Sequence, residues 1–179
     1  PRSVSSAASD VYKRQFVYAA AIDQLHLSPC DTFPKAQITI PALKFGNMKP
    51  WAPKNSSNNY VGFETLKSAL ANSRNTITAR LMNEIGPQPV INLAKRLGIE
   101  HNLPAVPSIA LGTPDLSIYE MVAAYGSFAN KGVYTKPVMV TRIEDKNGTL
   151  LYQFSPETRD VLSEDCLLYT SPSPRDREK

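Results

Sequence analysis

Apolar residues fill every position from Phe16 to Ile22 (FVYAAAI), with no polar stripe. That pattern predicts a helix buried on all its faces. Leu27 to Pro34 reads as loop, and the weak alternation of Ala36 to Pro41 (AQITIP) predicts a short edge strand closed by proline. From Pro41 to Gly62 the chain is rich in Pro, Gly, Asn and Ser, a long irregular excursion pinned at Trp51. Helical spacing then returns three times. Phe63–Asn72 places Leu66, Ala69 and Leu70 on one face. Thr76–Ile85 places Ile77, Leu81 and Ile85 together and stops at Gly86-Pro87. Pro87–Ile99 does the same with Val90, Leu93, Ala94 and Leu97 and stops at Gly98. After a proline-bearing connector, Thr113-Pro114-Asp115 predicts the start of a helix running through LSIYEMVAAYGSFAN. Two alternating runs around Lys146-Asn147-Gly148 predict an antiparallel hairpin from Val138 to Phe154. The fold class expected is α+β: helix-rich, with one hairpin. Two strands alone are marginal, so low stability is expected with it.

Composition narrows the class. No apolar run approaches the ~18 residues of a membrane span. Two Cys exclude a disulfide scaffold, and His26 and His101 lie far apart without Cys partners, so neither a metal nor a cofactor is expected. The net charge of +4 suggests nucleic acid only until the ends are considered. With one choice of codons, residues 5–15 (SSAASDVYKRQ) spell a transposase-based sequencing adapter. Residues 166–176 (CLLYTSPSPRD) spell its partner in the opposite sense. Residues 1–15 and 165–179 are therefore read as translated, non-native adapter, and 16–164 as a partial domain. Those ends hold six of the 20 Lys and Arg and four of the 16 acids, which leaves 14 against 12, a net +2. No nucleic-acid partner is expected. Cys30 is read as a structural thiol, the two His as surface residues, Tyr119, Tyr125 and Phe128 as core, and Lys95-Arg96 as a solvated helix face.

One tripeptide carries candidate chemistry. Ser73-Arg74-Asn75 sits between two predicted helices, where a hydroxyl and an amide project from a helix start. Capping of orphan N–H groups by Ser73 or Asn75 accounts for the same residues and stays open at this point.

The wider sequence is more specific. FVYAAAID, WAPKN, LKSALANSRNT, ARLMNEIGP, LAKRLGI, PSIALGTPDLSIYEMVAAYGSFANKGVYTKP and TRIEDKNGTLLY, in that order, resemble the transpeptidase domain of class A penicillin-binding proteins. The resemblance implies a helix-rich part of an α+β, β-lactamase-like domain. Three motifs line the active site of that family: Ser-x-x-Lys, Ser-x-Asn and Lys-Thr-Gly. Ser73-Arg74-Asn75 falls at the second. This implies that the Ser73 hydroxyl relays a proton to or from the leaving amine, and that the Asn75 amide helps hold the motif lysine and the substrate peptide group. Val11 stands in the nucleophile's place and Arg14 in the lysine's, and the third motif belongs beyond Glu164. Valine has no nucleophilic atom and arginine keeps its proton, so the fragment is expected to be inactive. The implied parent is a serine-type D,D-transpeptidase of peptidoglycan synthesis, with an upstream glycosyltransferase domain and a membrane anchor. It works at the periplasmic or extracytoplasmic face of the bacterial inner membrane, on peptidoglycan stem peptides, and is acylated by β-lactams. A penicillin-recognising sensor or a β-lactamase-like module is the alternative.

Overall fold

The computed structural model describes residues 6–112 and 114–163, with side chains from Arg14 onward. The reading of 165–179 as adapter and the expected place of a third motif lie outside the described residues.

Helix α1 (Ser6–Leu25) is the centre of the molecule. From Phe16 to Ile22 no residue is more than 7% exposed, as the unbroken apolar run requires. Around it pack α2 (Leu66–Ala71), α3 (Asn75–Ile85), α4 (Pro87–Arg96) and a 3₁₀ turn, Pro107–Leu111. Helix α5 (Ile118–Ala129) closes on the start of the Phe16 run, where Phe16, Tyr125 and Phe128 form a ring cluster with centroids 5.6–6.3 Å apart. The Tyr125 hydroxyl donates to Gln15 Oε1 at 2.5 Å. Among the described residues no helix is long and apolar enough to cross a membrane.

Among the described residues, three two-stranded antiparallel sheets stand in place of the single expected hairpin. Strand β1 (Thr32–Pro34), expected as loop, pairs with β2 (Phe63–Thr65), expected as the first turn of a helix. The helix waits until Leu66 because Thr65 caps it, its Oγ1 accepting from Ser68 N at 3.3 Å. Strand β3 (Val133–Thr135) pairs with β6 (Thr158–Asp160). The expected hairpin is present but shorter, as β4 (Arg142–Glu144) and β5 (Leu150–Gln153). Its turn closes where Asp145 Oδ1 accepts from Asn147 N and Thr149 N, at 2.8 and 2.9 Å.

Three further expectations are corrected. Ala36–Pro41 forms no ladder. It keeps one bridge, Ile40 to Trp51, because the Arg80 guanidinium takes the carbonyls of Pro34, Ala36 and Gln37 at 3.0–3.4 Å. Helix α5 begins at Ile118, after the Pro114 start signal, because Ser117 and Glu120 form a reciprocal capping box there. Tyr119 is 48% exposed and donates to the Pro137 carbonyl, while Tyr125 and Phe128 pack on the core. His26 and His101 are exposed as expected, and Cys30 is an exposed free thiol.

Candidate functional site

The corner between α2 and α3 is built by its backbone. Ser73 N donates to Leu70 O at 3.1 Å and Arg74 N to Ala69 O at 2.9 Å, the paired bonds of a Schellman motif. Its left-handed position usually holds glycine, because a Cβ there costs about 1 kcal/mol or more. Here it holds Ser73, at φ 56°. Backbone strain of this sort gathers at functional sites.

Arg74 follows as the N-cap residue of α3 and is clasped from two sides. Its Nε donates to Glu64 Oε2 at 2.8 Å and a terminal nitrogen donates to Ser57 Oγ. Glu64 also accepts from Ser68 Oγ and Asn72 Nδ2 at 2.7 and 2.8 Å. Burial pushes this carboxyl up, but those donors and the Arg74 charge hold it below its ordinary value. Glu64, the middle residue of β2, therefore holds both Asn72 and Arg74, the residues on either side of Ser73.

Neither Ser73 nor Asn75 caps α3. Asn75 is the first helical residue, and its Nδ2 donates sideways to the Lys54 carbonyl at 2.5 Å. The cap comes from 21 residues away in the chain. Buried Asn55 accepts from Thr76 N through Oδ1 at 3.0 Å and donates through Nδ2 to Thr76 Oγ1 at 3.1 Å. With its nitrogen committed to a carbonyl, Asn75 is left with a buried Oδ1 that has no hydrogen-bond partner among the described residues. A buried acceptor without a donor is costly, and it marks a place where a donor belongs.

The third component arrives on α1. Arg14 is only 8% exposed, and its guanidinium donates to Ser73 O at 2.7 Å and to Ser73 Oγ at 2.8 Å. Position 11 lies one turn earlier on the same side of α1. Below Arg14 on that helix, Tyr18 is buried, which pushes its hydroxyl up to about 12 against the opposing pull of Thr78 and Arg14. The structure therefore brings a hydroxyl in a strained backbone together with a cation, while the side chain of Asn75 is turned to the Lys54 carbonyl. Arginine holds its proton throughout the range in which proteins stay folded, so this cation orients and attracts without serving as a base. Among the described residues no group of three or more His, Cys, Asp and Glu is placed to hold a metal ion.

Sequence reasoning singled out Ser73 and Asn75, and the structure joins Ser73 to Arg14. It missed Asn55, Glu64 and Ser57. Asn55 carried a faint signal, as the last residue of the quoted WAPKN stretch, but which helix it would cap lay beyond any local pattern.

A buried helix whose residue 14 reaches the Ser73–Asn75 corner is consistent with the resemblance that the sequence carries. Comparison with known proteins agrees. A family model described as "Penicillin binding protein transpeptidase domain" matches residues 12–165. The chain is 38% identical over 112 residues to penicillin-binding protein 1A of Aquifex aeolicus, covering 63% of the chain and 15% of that protein. It is 31% identical over 183 aligned positions to penicillin-binding protein 1A of Clostridium botulinum, covering 94% of the chain and 22% of that protein. Its fold is like that of the PonA1 protein from Mycobacterium tuberculosis in complex with penicillin V, with a TM-score of 0.74 at 21% identity over 88% of this chain and 44% of that one. The chain belongs to the penicillin-binding-protein transpeptidase family, and its curated relatives are of the class A kind. It spans less than a quarter of the length of those relatives.

Proposed function

We propose that the chain is a non-catalytic piece of a bifunctional class A peptidoglycan D,D-transpeptidase. In this reading residues 16–164 are the enzyme's own sequence, and 1–15 and 165–179 are translated adapter. In the intact enzyme a serine attacks the D-Ala-D-Ala amide of a stem peptide and expels the terminal D-Ala. An amine of a neighbouring stem then resolves the acyl-enzyme and forms the cross-link, and β-lactams acylate the same serine. Ser73 relays the proton of the leaving amine, and Asn75 offers its amide to the motif lysine and to the substrate's peptide group. The parent carries an upstream glycosyltransferase domain and a membrane anchor, with this domain on the extracytoplasmic side.

The observation that carries the reading is the contact between Arg14 and Ser73. The helix that bears the Ser-x-x-Lys motif in this family here aims its motif-lysine position at the Ser-x-Asn corner, with arginine in place of lysine and Val11 in place of serine. The 179-residue chain is expected to give no band with a fluorescent penicillin after denaturing electrophoresis. A covalent label on any serine would overturn the inactive reading. Long-read sequence across the locus is expected to show a glycosyltransferase domain upstream of Phe16. A signalling membrane segment there would make the parent a sensor instead.

A further inference from the structure

We propose that Asn55 is a positioning residue that sets which way the Asn75 amide faces. Asn55 is a polar side chain only 6% exposed, inside an otherwise irregular excursion. It grips Thr76 twice, through Thr76 N and through Thr76 Oγ1, and Thr76 Oγ1 in turn donates to the Lys35 carbonyl at 3.2 Å. Two bonds fix both the position and the rotation of residue 55, and with them the peptide unit just before it. That unit presents the Lys54 carbonyl, which accepts from Asn75 Nδ2. A carbonyl accepts and cannot donate, so only one of the two flipped states of the Asn75 amide is compatible with it. The nitrogen faces Lys54, and the oxygen is left as a buried acceptor without a partner among the described residues. Asn55 thus acts on the site without belonging to it: it holds a backbone carbonyl, and the carbonyl sets the amide.

This inference deepens the reading of Asn75 as a motif residue and takes its meaning from that reading. In the intact enzyme the presented oxygen accepts from an N–H of the acyl substrate or from an ammonium. The orientation of Asn75 is measurable whether or not Asn75 touches substrate, so the two statements fail separately.

The test uses the full chain with ¹⁵N in its asparagine side chains, following the Asn75 NH₂ signals by NMR. In Asn55→Ala, hydrogen exchange at the Asn75 side-chain amide is expected to quicken about tenfold, as for a lost hydrogen bond, and its shifts to move. Backbone amides of Leu81 and Met82, inside α3, are expected to keep their protection. Asn55→Asp retains an acceptor for Thr76 N but loses the donor to Thr76 Oγ1, whose one O–H is given to the Lys35 carbonyl, and it is expected to restore the signature only in part. Unchanged Asn75 signals in Asn55→Ala with α3 intact would overturn the proposal and leave Asn55 a helix cap alone. If Asn55→Ala does not fold, Thr76→Val is read in the same way. It removes the side-chain half of the grip, so quicker exchange at Asn75 supports the proposal and unchanged exchange overturns it.

Discussion

Ser73 stands where the backbone asks for glycine, which makes the cost of its hydroxyl measurable. Ser73→Ala keeps the left-handed strain and loses the bond from Arg14, whereas Ser73→Gly loses the same bond and relieves the strain. The glycine variant is therefore expected to be more stable than the alanine variant by about 1 kcal/mol in urea unfolding. The reverse order would deny the left-handed placement. Glu64 gives a second residue-scale expectation. Its pKa is depressed in the folded chain, so its contribution to stability is present above the ordinary carboxylate value and is lost as pH falls through the lower, folded one. The urea midpoint is expected to drop on acidification below about pH 4.5, and Glu64→Gln is expected to flatten that part of the curve. The sequence singled out Ser73 and Asn75 because they fit a short motif, and the structure gives each a side-chain contact distant in the chain. Their competing explanation, helix capping, was decided only by seeing Asn55 take that role. No spacing rule links residue 55 to residue 76, because the link is made by a loop folding back across α3.

At the scale of elements, α3 organises the irregular part of the chain. From one side it sends Asn75 to Lys54, Thr76 to Lys35 and Arg80 to the carbonyls of Pro34, Ala36 and Gln37, while Asn83 accepts from Lys44 Nζ. The excursion between β1 and β2 is thus held by side chains of a helix rather than by a sheet, which is why its alternation misled. The helices were legible because each carries several turns of 3.6-residue spacing. Strands β1, β2, β3 and β6 have three residues each, too few for alternation to register. The β3–β6 ladder is extended at one end by a glycine. The Gly132 carbonyl accepts from Val161 N and Leu162 N, and a Cβ on Gly132 (φ 83°) would lie 2.0 Å from the Leu162 carbonyl oxygen. Gly132→Ala is expected to cost more than about 2 kcal/mol in unfolding free energy. Gly126 on α5 has nothing near its missing Cβ, and Gly126→Ala is expected to add about 0.5–1 kcal/mol. If both variants proved neutral, the packing described for these two positions would be wrong.

The whole molecule shows more apolar surface than its core explains. Ile118, Tyr119 and Val122 on α5 are 48–63% exposed. On the β4–β5 hairpin Ile143, Leu150, Leu151 and Tyr152 are 45–63% exposed, with Tyr152 and Phe154 packed edge to face at 4.4 Å. Such patches promote association. The purified chain is expected to bind an apolar fluorescent dye in its folded state and to sediment as concentration-dependent oligomers. A dye-silent monomer at high concentration would contradict this.

The central place of α1 bears on synthesis as well as on stability. The helix is made before the elements that enclose it: its apolar run is covered by elements that continue to α5, and the buried cluster it belongs to takes in Val161 and Leu162. At ribosomal rates of roughly 5–20 residues per second, the most apolar stretch of the chain waits several seconds to about half a minute for the residues that enclose it. Throughout that interval it is a binding site for whatever in the cell recognises nascent apolar helices. A slow codon anywhere between residues 22 and 160 prolongs the wait.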